Sequence, residues 1–413
     1  MLTPQPLACR ACGTDTAHIF ADLGAQPLCE SYLSAEGLHA PETFYPLTAY
    51  VCPHCFLVQT EAFETPEAIF SDYAYFSSYS TTWLEHAKRY VDGVCERFAL
   101  TEDSFVVEVA SNDGYLLQNF VGRNIPALGI DPAANIAEVA EQKGVPTLVD
   151  FFGERVAKTL VAEKRQVDLL VANNVLAHTP YLNDFVCGIK LLLKPDGVAT
   201  IEFPHLLRLI EENQFDTIYH EHFSYLSLLS VERLFAQHGL ELFDVEKLPT
   251  HGGSLRIYAK HQADKRPACS RLADVRAEER AAGLDTLEPY LSFNDCAART
   301  KHKLLGLLVE LKSQGKTVVG YGAPGKGNTL LNYSGIRSDF LDYTVDRSPY
   351  KQGLFLPGTH IPIYAPDKIA ETRPDFVLIL PWNLKDEIME QMAFVREWGG
   401  KFIVPIPEAT VLP

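Results

Sequence analysis

Short apolar runs alternate with helical patterns through the middle of the chain. "SFVVEV" at 104–109 and "PALGI" at 126–130 are strand-like, and each precedes apolar residues spaced three and four apart. "VDLLVAN" at 167–173 and "GVATIEFP" at 197–204 continue the alternation. Strands that alternate with helices predict a parallel α/β sheet.

The same alternation returns after a long helical stretch that ends near residue 314. "TVVGYG" at 317–322, "DFVLIL" at 375–380 and "KFIVPIP" at 401–407 predict the strands of a second doubly wound, Rossmann-like unit. The first 70 residues lack this alternation. We therefore expect an α/β protein with three domains, at residues 1–72, 73–260 and 261–413.

Composition and charge narrow the class of protein. The chain has 413 residues, of which 47% are hydrophobic, and a formal net charge of −17. The composition is ordinary for a globular protein, whereas the acidic charge disfavours nucleic acid as a partner. No apolar run reaches the roughly 20 residues that span a bilayer, and the N-terminus lacks the layout of a signal peptide. We expect a cytoplasmic protein with no membrane partner and mostly reduced cysteines.

Four of the nine cysteines form two CxxC pairs, "CRAC" with Cys9 and Cys12 and "CPHC" with Cys52 and Cys55. Two such pairs can supply four thiolates in a tetrahedron around zinc. The separation between the pairs is longer than usual, which requires only a larger excursion of the chain. The redox use of CxxC needs a strand-to-helix context that neither pair shows. The sequence therefore predicts a structural Zn²⁺ site in the first domain.

The stretch "VVGYGAPGKG" at 318–327 matches two nucleotide-binding patterns. As the start of a phosphate loop it needs Ser or Thr after Lys326 to hold magnesium, and Gly327 stands there instead. As a GxGxxG dinucleotide fingerprint it has the preceding strand and, at Asp346, an acid about 20 residues further on. Spacing alone therefore leaves an NAD-binding interpretation open.

A second candidate ligand edge follows the first strand of the middle domain. Here "EVASNDG" carries acids and a single glycine, Gly114, where an NAD loop would have GxGxxG. Acids repel pyrophosphate but suit a ligand with a cationic amino-acid end, such as S-adenosylmethionine (SAM). Acids or amides also end the next three strands, although Asn173 could equally close its turn. The predicted SAM contacts are Glu108, Ser111, Asn112, Asp113, Gly114, Asp131, Asp150, Phe151, Phe152 and Asn173.

The segment "YHEHFSYLS" concentrates polar groups after the strand that ends at Pro204. Methyl transfer from a sulfonium to carbon needs a carbanion-like nucleophile, and a hydrogen next to a ketone is acidic enough for a positioned base to remove. Histidine can act as that base near neutral pH, and a tyrosine hydroxyl can bond to the developing oxyanion.

Several motifs together resemble a known family. They are the four cysteines, "EVASNDGYLL", "GIDPA", "ANNVLAH", "LLKPDGVATIEFPH", "YHEHFSYLS", "HGGSLRIY" and "GYGAPGKGNTLLNY". Over nearly its whole length the chain is similar to the three-domain, SAM-dependent sugar C-methyltransferases, which methylate nucleotide-linked keto-deoxysugars.

The resemblance implies roles for individual residues. His222 would be the base, at the carbon next to the ketone, and Tyr219 and Glu221 would position the substrate or polarise its carbonyl. The implied substrate contacts are Tyr75 (or Tyr73), His251, Lys326 and Asn328. The third domain would then close over an NDP-4-keto-deoxyhexose, thymidine-linked and methylated at carbon 3.

Three alternatives remain at this level. An NAD-dependent oxidoreductase would use the C-terminal GxGxxG, an O- or N-methyltransferase would keep SAM but change the acceptor, and a zinc-dependent interaction protein would not bind SAM. We expect a monomer or weak dimer.

Overall fold

The computed structural model describes residues 7–71, 77–79 and 81–413. The tyrosine-rich stretch that contains Tyr73 and Tyr75 lies outside the described residues. Within the part of the chain that the structure describes, no helix is long and apolar enough to cross a membrane.

The first domain is a small β module that carries both cysteine pairs. Its elements are β1 Leu7–Ala8, β2 Asp15–Thr16, β3 His18–Gln26, β4 Tyr45–Val51, β5 Val58–Thr60 and α1 Pro66–Phe70. The cysteine pairs lie in the turns after β1 and β4, and β3, β4 and β5 pair in antiparallel fashion. The 39 residues between the pairs are therefore mostly a hairpin, as the long spacing required.

The middle domain is built on a seven-stranded sheet. Its strands are β6 Val106–Val109, β7 Ala127–Ile130, β8 Thr147–Leu148, β9 Val167–Asn173, β10 Leu193–Pro204, β12 Leu240–Leu248 and β13 Ser254–His261, and β11 Ser224–Tyr225 lies outside it. Its helices are α2 Thr81–Phe98, α3 Gln118–Val121, α4 Ala134–Gln142, α5 Glu154–Ala162, α6 Leu182–Leu192, α7 Leu206–Glu211 and α8 Leu228–Gln237. The strand order is β12-β13-β10-β9-β6-β7-β8, with the last five parallel and β13 antiparallel to both neighbours. The order reverses between β6 and β9, where doubly wound folds bind their ligands.

The last domain contains a second, six-stranded sheet. Its strands are β14 Val318–Tyr321, β15 Thr344–Val345, β16 Ile363–Tyr364, β17 Phe376–Ile379, β18 Lys401–Val404 and β19 Thr410–Leu412. Its helices are α9 Ser270–Ala281, α10 Glu288–Leu291, α11 Phe293–Ser313, α12 Gly325–Ser334, α13 Lys368–Thr372 and α14 Lys385–Gln391. The order is β16-β15-β14-β17-β18-β19, and only β19 runs antiparallel to its neighbour. The α/β class and the second Rossmann-like unit are thus confirmed, with the antiparallel edge strand added.

Helix α9 packs on the middle domain, although we assigned it to the last one. Arg276 on this helix pairs with Glu232 on α8 at 2.6 Å. The buried carboxylate of Glu279 accepts hydrogen bonds from the first amides of α8 and lies 2.7 Å from Nε2 of His205. Helical periodicity in a sequence identifies an apolar face but not the domain that covers it.

The first and last domains share one hydrophobic core. The ring of Phe20 on β3 stacks on that of Phe293 on α11, with 4.4 Å between centroids, and meets the edge of Tyr290. All three side chains are fully buried. The two domains therefore hold each other in place, and the middle domain contacts both of them.

Candidate functional site

The four cysteines of the two CxxC pairs meet at one point. Their sulfur atoms all lie within 4.8 Å of one another, with Cys9 3.5 Å from Cys55 and Cys12 3.5 Å from Cys52. A tetrahedron with Zn–S bonds of about 2.3 Å requires sulfurs about 3.8 Å apart. The donor set and its spacing therefore fit Zn²⁺. Among the described residues this is the one group of His, Cys, Asp and Glu side chains gathered for a metal.

The end of β6 carries a fully buried acid, Glu108. Neither of its carboxylate oxygens has a hydrogen-bond partner among the described residues, although the Tyr115 hydroxyl is close. Burial, with Asp131 nearby, raises the pKa of Glu108 well above its usual value. A buried carboxylate without a partner is costly unless a ligand satisfies it. This acid at the switch point fits a ligand with a cationic group or hydroxyls, as SAM has.

The neighbouring acids and amides are partly engaged by the protein. Asp131 accepts the backbone amides of Asn112 and Ala133 at 2.9 and 3.0 Å, which fixes the loop after β6. The side chain of Asn112 accepts the Ser77 amide. That of Asp113 pairs with Lys143 on one oxygen, and the other is buried with no hydrogen-bond partner among the described residues.

Gly114 and Ser111 shape this loop. Gly114 has φ +75°, and a Cβ there would lie 3.0 Å from a Val145 methyl group, so only glycine fits without strain. The Ser111 hydroxyl is buried against Gly129 and has no hydrogen-bond partner among the described residues.

The "DFF" stretch after β8 is held mainly by its own surroundings. One oxygen of Asp150 accepts from Arg155 at 2.5 Å and from the Phe151 amide at 2.8 Å. The Phe152 ring packs edge-on against Phe185, 5.3 Å between centroids. The assignment of these three residues to SAM stays a prediction.

The end of β9 places amides beside Glu108. The carbonyl oxygens of the Asn173 and Asn174 side chains are buried and lack partners in the described part of the chain. Asn174 has φ +53°, and its backbone amide donates to the Glu202 backbone carbonyl at 2.7 Å. Amide and carboxylate oxygens therefore gather where the strand order reverses.

The histidine segment, residues 216–225, is anchored to the zinc-binding module. Its end forms β11, which pairs antiparallel with β5. Thr60 donates its hydroxyl to the His222 carbonyl at 2.9 Å. Arg10, which lies between two zinc ligands, donates to the Phe223 carbonyl at 2.8 Å. The module thus binds the backbone of the candidate base and of the residues that follow it.

The hydrogen bonding of His222 defines which ring nitrogen is free. Its Nδ1 lies 2.9 Å from the Thr217 carbonyl oxygen. A carbonyl only accepts, so Nδ1 carries the proton and Nε2 keeps its lone pair. Burial and the nearby His178 lower the pKa of His222 well below 6.5, so the ring is neutral at neutral pH. A neutral imidazole with a free Nε2 can accept a proton.

Aromatic rings surround this imidazole. Tyr219 lies 4.0 Å from His222 and Tyr225 lies 6.1 Å from it, both between ring centroids. Glu221, in contrast, turns away toward the first domain, where its carboxylate accepts from the Cys29 thiol at 3.5 Å. Burial and the nearby Glu30 raise the pKa of Glu221 to about 7.

His220 takes the opposite side of the segment from His222. Its Nε2 donates to the Pro46 carbonyl at 3.2 Å, and its ring meets the edge of Tyr45. In an extended chain these two histidines, two residues apart, would share one face. The turn closed by the His222 amide and the Tyr219 carbonyl, at 2.9 Å, places them on opposite sides instead.

His178 is a site residue for which the sequence predicted no role. It ends a 3₁₀ turn just after β9, and its ring lies 4.6 Å from that of His222. Burial lowers its pKa to about 4. The Ala177 carbonyl accepts the Phe223 amide at 2.8 Å, which joins this turn to the histidine segment. The only sequence signal was the position of "ANNVLAH" at the ligand edge.

His251 lines the opposite wall. It has φ +55° and lies beside the glycines of "HGG", with its ring edge-on to Trp83 at 5.6 Å. The side chain is exposed to solvent, and desolvation by the surrounding protein lowers its pKa. Behind it, the Glu202 carboxylate accepts hydrogen bonds from Thr250, His86 and Arg256 at 2.9, 3.1 and 2.6 Å, and these bonds hold this wall of the site in place.

The glycine loop before α12 is occupied by protein contacts. The Ala323 amide donates to Asp346 at 2.7 Å, so the acid of the NAD pattern holds the loop. A Cβ on Gly325 would lie 2.9 Å from the Cys29 sulfur and 3.3 Å from a carboxylate oxygen of Glu30. An acid at this position disfavours pyrophosphate.

The two predicted substrate contacts on α12 lie at domain boundaries. The Lys326 amine lies 4.4 Å from the Trp382 ring centroid and contacts Asn383, and burial lowers its pKa to about 8. Asn328 donates its side-chain amide to the Cys29 carbonyl at 2.5 Å.

Family models match three consecutive stretches of the chain. A zinc-binding domain matches residues 9–70, a methyltransferase domain 83–245 and a C-methyltransferase C-terminal domain 249–407. The chain is 37% identical over 404 residues to the C-methyltransferase NovU of Streptomyces niveus, covering 98% of this chain and 96% of that protein. The chain belongs to the sugar C-methyltransferase family. SAM is its cofactor, and the four cysteines hold structural zinc, so both cofactor predictions are confirmed.

Solved structures resemble only part of the chain. The PH0226 protein of Pyrococcus horikoshii OT3 is 15% identical, with 48% of this chain and 99% of that chain covered and a TM-score of 0.38. Magnesium protoporphyrin IX methyltransferase (ChlM) of Synechocystis PCC 6803 with bound SAM is 13% identical, with 43% and 80% covered and a TM-score of 0.33.

Proposed function

We propose that this C-methyltransferase acts on an NDP-4-keto-deoxyhexose and methylates the carbon next to the ketone, with His222 as the base. The observation that carries the proposal is the Nδ1–H bond from His222 to the Thr217 carbonyl, which leaves Nε2 free to accept a proton. The ring also stands close to the ligand edge, because His178 links it to the turn after β9. Base and methyl donor would thus approach the substrate from adjoining walls.

The reaction follows from these positions. His222 Nε2 removes the proton from the carbon next to the ketone, and the remaining electron pair is delocalised as an enolate. SAM, when bound, supplies the electrophilic methyl group. The new C–C bond forms as the S–C bond breaks, and the proton stays on His222 until solvent takes it.

The residues on either side of the candidate base bear on the rest of the proposal. Tyr219 is adjacent to the imidazole, so its hydroxyl is a candidate donor to the enolate oxygen. Glu221 faces Cys29, so we propose that it supports the segment, with direct contact to the sugar left to Tyr219 and His222. His251, Lys326, Asn328 and Tyr75 remain the proposed contacts for the rest of the nucleotide-sugar.

The carbon and the nucleotide are proposed from what the family resemblance implies. A ketone at carbon 4 activates both carbon 3 and carbon 5, and we propose carbon 3 of a thymidine-linked sugar. The test is incubation with SAM and a panel of nucleotide-linked 4-keto sugars, followed by mass and NMR analysis of the products. A methyl group on carbon 3 supports the full proposal, one on carbon 5 corrects the position, and methyl on oxygen or nitrogen would refute the mechanism.

The role of His222 has its own test. His222→Ala should abolish turnover while SAM affinity, measured by calorimetry, stays within about twofold of the unchanged enzyme. Undiminished turnover would refute the assignment.

A further inference from the structure

The last domain touches the turn on which the geometry of His222 depends. The Thr217 carbonyl, which accepts the Nδ1 proton, belongs to the 3₁₀ turn Phe215–Thr217. This short turn has no regular sheet partner to hold it. Its position is therefore set by the side chains that pack around it.

Trp382 of the last domain makes the principal polar contact. Its indole Nε1 donates to Oδ2 of Asp216 at 2.7 Å, and both residues are buried. The other oxygen of Asp216 has no partner among the described residues, so the indole is the main side-chain donor that satisfies this acid. Burial raises the pKa of Asp216 to about 6, whereas Lys326 and the indole favour its ionised form.

A second contact reaches the other end of the turn. The Thr329 hydroxyl on α12 donates to the Ile218 carbonyl at 3.2 Å. The Phe215 ring meets the edge of Tyr333, also on α12, with 5.4 Å between centroids. The last domain therefore holds residues on both sides of the Thr217 carbonyl.

The same indole also reaches the opposite wall of the site. Gly252 has φ +84°, and a Cβ there would lie 3.0 Å from a ring carbon of Trp382 and 2.7 Å from the Gln214 amide nitrogen. Gln214 in turn donates to the Gly252 carbonyl at 2.8 Å. Trp382 thus stands between the turn that orients His222 and the loop that carries His251.

We propose that Trp382 is a positioning residue for the base: through Asp216 it fixes the Thr217 carbonyl, and through that carbonyl the tautomer and orientation of His222. This inference rests on the proposed role of His222. It gives the last domain a part in the chemistry that is separate from closing over the nucleotide-sugar. Thr329 is the supporting contact.

The test uses the full-length, zinc- and SAM-loaded enzyme. Trp382→Phe keeps an aromatic ring and removes the N–H donor together with part of the indole. Trp398→Phe is the matched control, because its indole also donates one hydrogen bond, to the Pro374 carbonyl at 2.9 Å, within the same domain but on no residue of the site. Two readouts are measured: kcat and KM, and the ¹⁵N NMR signals of the histidine rings, with those of His222 assigned from their loss in His222→Gln.

Trp382→Phe should lower kcat about 10- to 100-fold, the usual cost of a displaced catalytic group, with KM for the sugar and the SAM Kd within about twofold. Its His222 signals should change from a single Nδ1-protonated tautomer to a mixture, and Trp398→Phe should resemble the unchanged enzyme in both readouts. Thr329→Val replaces only the hydroxyl and should change kcat and the His222 signals in the same way but by less. This variant keeps the test valid if Trp382→Phe fails to fold. Unchanged kcat and unchanged His222 signals in both variants would overturn the inference.

Failure of the proposed function would look different. If His222 is not the base, His222→Ala keeps turnover, while Trp382→Phe still alters the tautomer. If only the inference fails, His222→Ala is inactive and Trp382→Phe leaves the ring signals unchanged.

Discussion

Arg10 provides the most specific test of how the zinc-binding module serves the site. Its guanidinium donates to the Phe223 carbonyl at 2.8 Å and lies 5.5 Å from the Phe223 ring centroid. Burial lowers its pKa only to about 10, so it stays charged at neutral pH. Arg10→Met keeps most of the apolar stem and removes the charge and the donor.

The magnitude follows from these contacts. A hydrogen bond from a charged donor contributes about 1.5–3 kcal/mol, and the low end applies because the Thr60 amide also donates to the Phe223 carbonyl, at 3.2 Å. The cation–π contact adds about 0.5 kcal/mol. A loss of about 2 kcal/mol that falls wholly on the ordered histidine segment would lower kcat about 30-fold. We expect about tenfold, because part of the loss falls elsewhere.

Arg233→Met is the matched control for Arg10→Met. Arg233 also touches the module, donating to the His54 carbonyl at 2.7 Å and lying 5.3 Å from the Phe56 ring centroid, and within the described part of the chain these contacts do not reach the histidine segment. Steady-state kinetics, bound zinc and SAM affinity are measured for both variants. Arg10→Met should lower kcat and leave bound zinc and SAM affinity unchanged. Equal kcat in the two variants, or loss of zinc in parallel with activity, would refute the reasoning.

Two further predictions concern the cofactor edge and the base. Glu108→Gln should weaken SAM binding about 10- to 100-fold by calorimetry, since charged hydrogen bonds to the ligand are lost. It should not lower the melting temperature of the SAM-free enzyme, because the substitution removes a buried acid that has no partner among the described residues. An unchanged Kd for SAM would contradict this placement. The neutral form of His222 is active and its pKa is lowered, so kcat/KM should fall only below pH 6.5 as the ring becomes protonated. An inflection of kcat/KM near pH 7 would indicate that Glu221 titrates instead. The Asp216→Asn variant should still show the inflection of kcat/KM below pH 6.5.

Local patterns in the sequence were sufficient for much of the fold. The CxxC pairs predicted the zinc site because four soft ligands at fixed spacing have few other uses. The apolar runs predicted both Rossmann-like units, and the acid at the end of β6 predicted the SAM edge. Each of these signals lies within a few consecutive residues.

Such local patterns could not predict contacts between segments that are distant in sequence. Nothing in "CRAC" indicates that Arg10 binds the carbonyl after His222, and nothing in "PWNL" indicates that Trp382 reaches Asp216. His178 and His222 are 44 residues apart in sequence, yet their rings meet because two loops pair through one backbone hydrogen bond. Such contacts depend on how the three domains pack together.

Hydrogen exchange at the substrate tests the central claim most directly. The enzyme is loaded with S-adenosylhomocysteine, which cannot donate a methyl group, and mixed with the 4-keto sugar nucleotide in D₂O. If His222 removes the proton next to the ketone, NMR should show deuterium entering that carbon with the unchanged enzyme and only at the background rate with His222→Ala. Equal exchange with both enzymes would contradict the account.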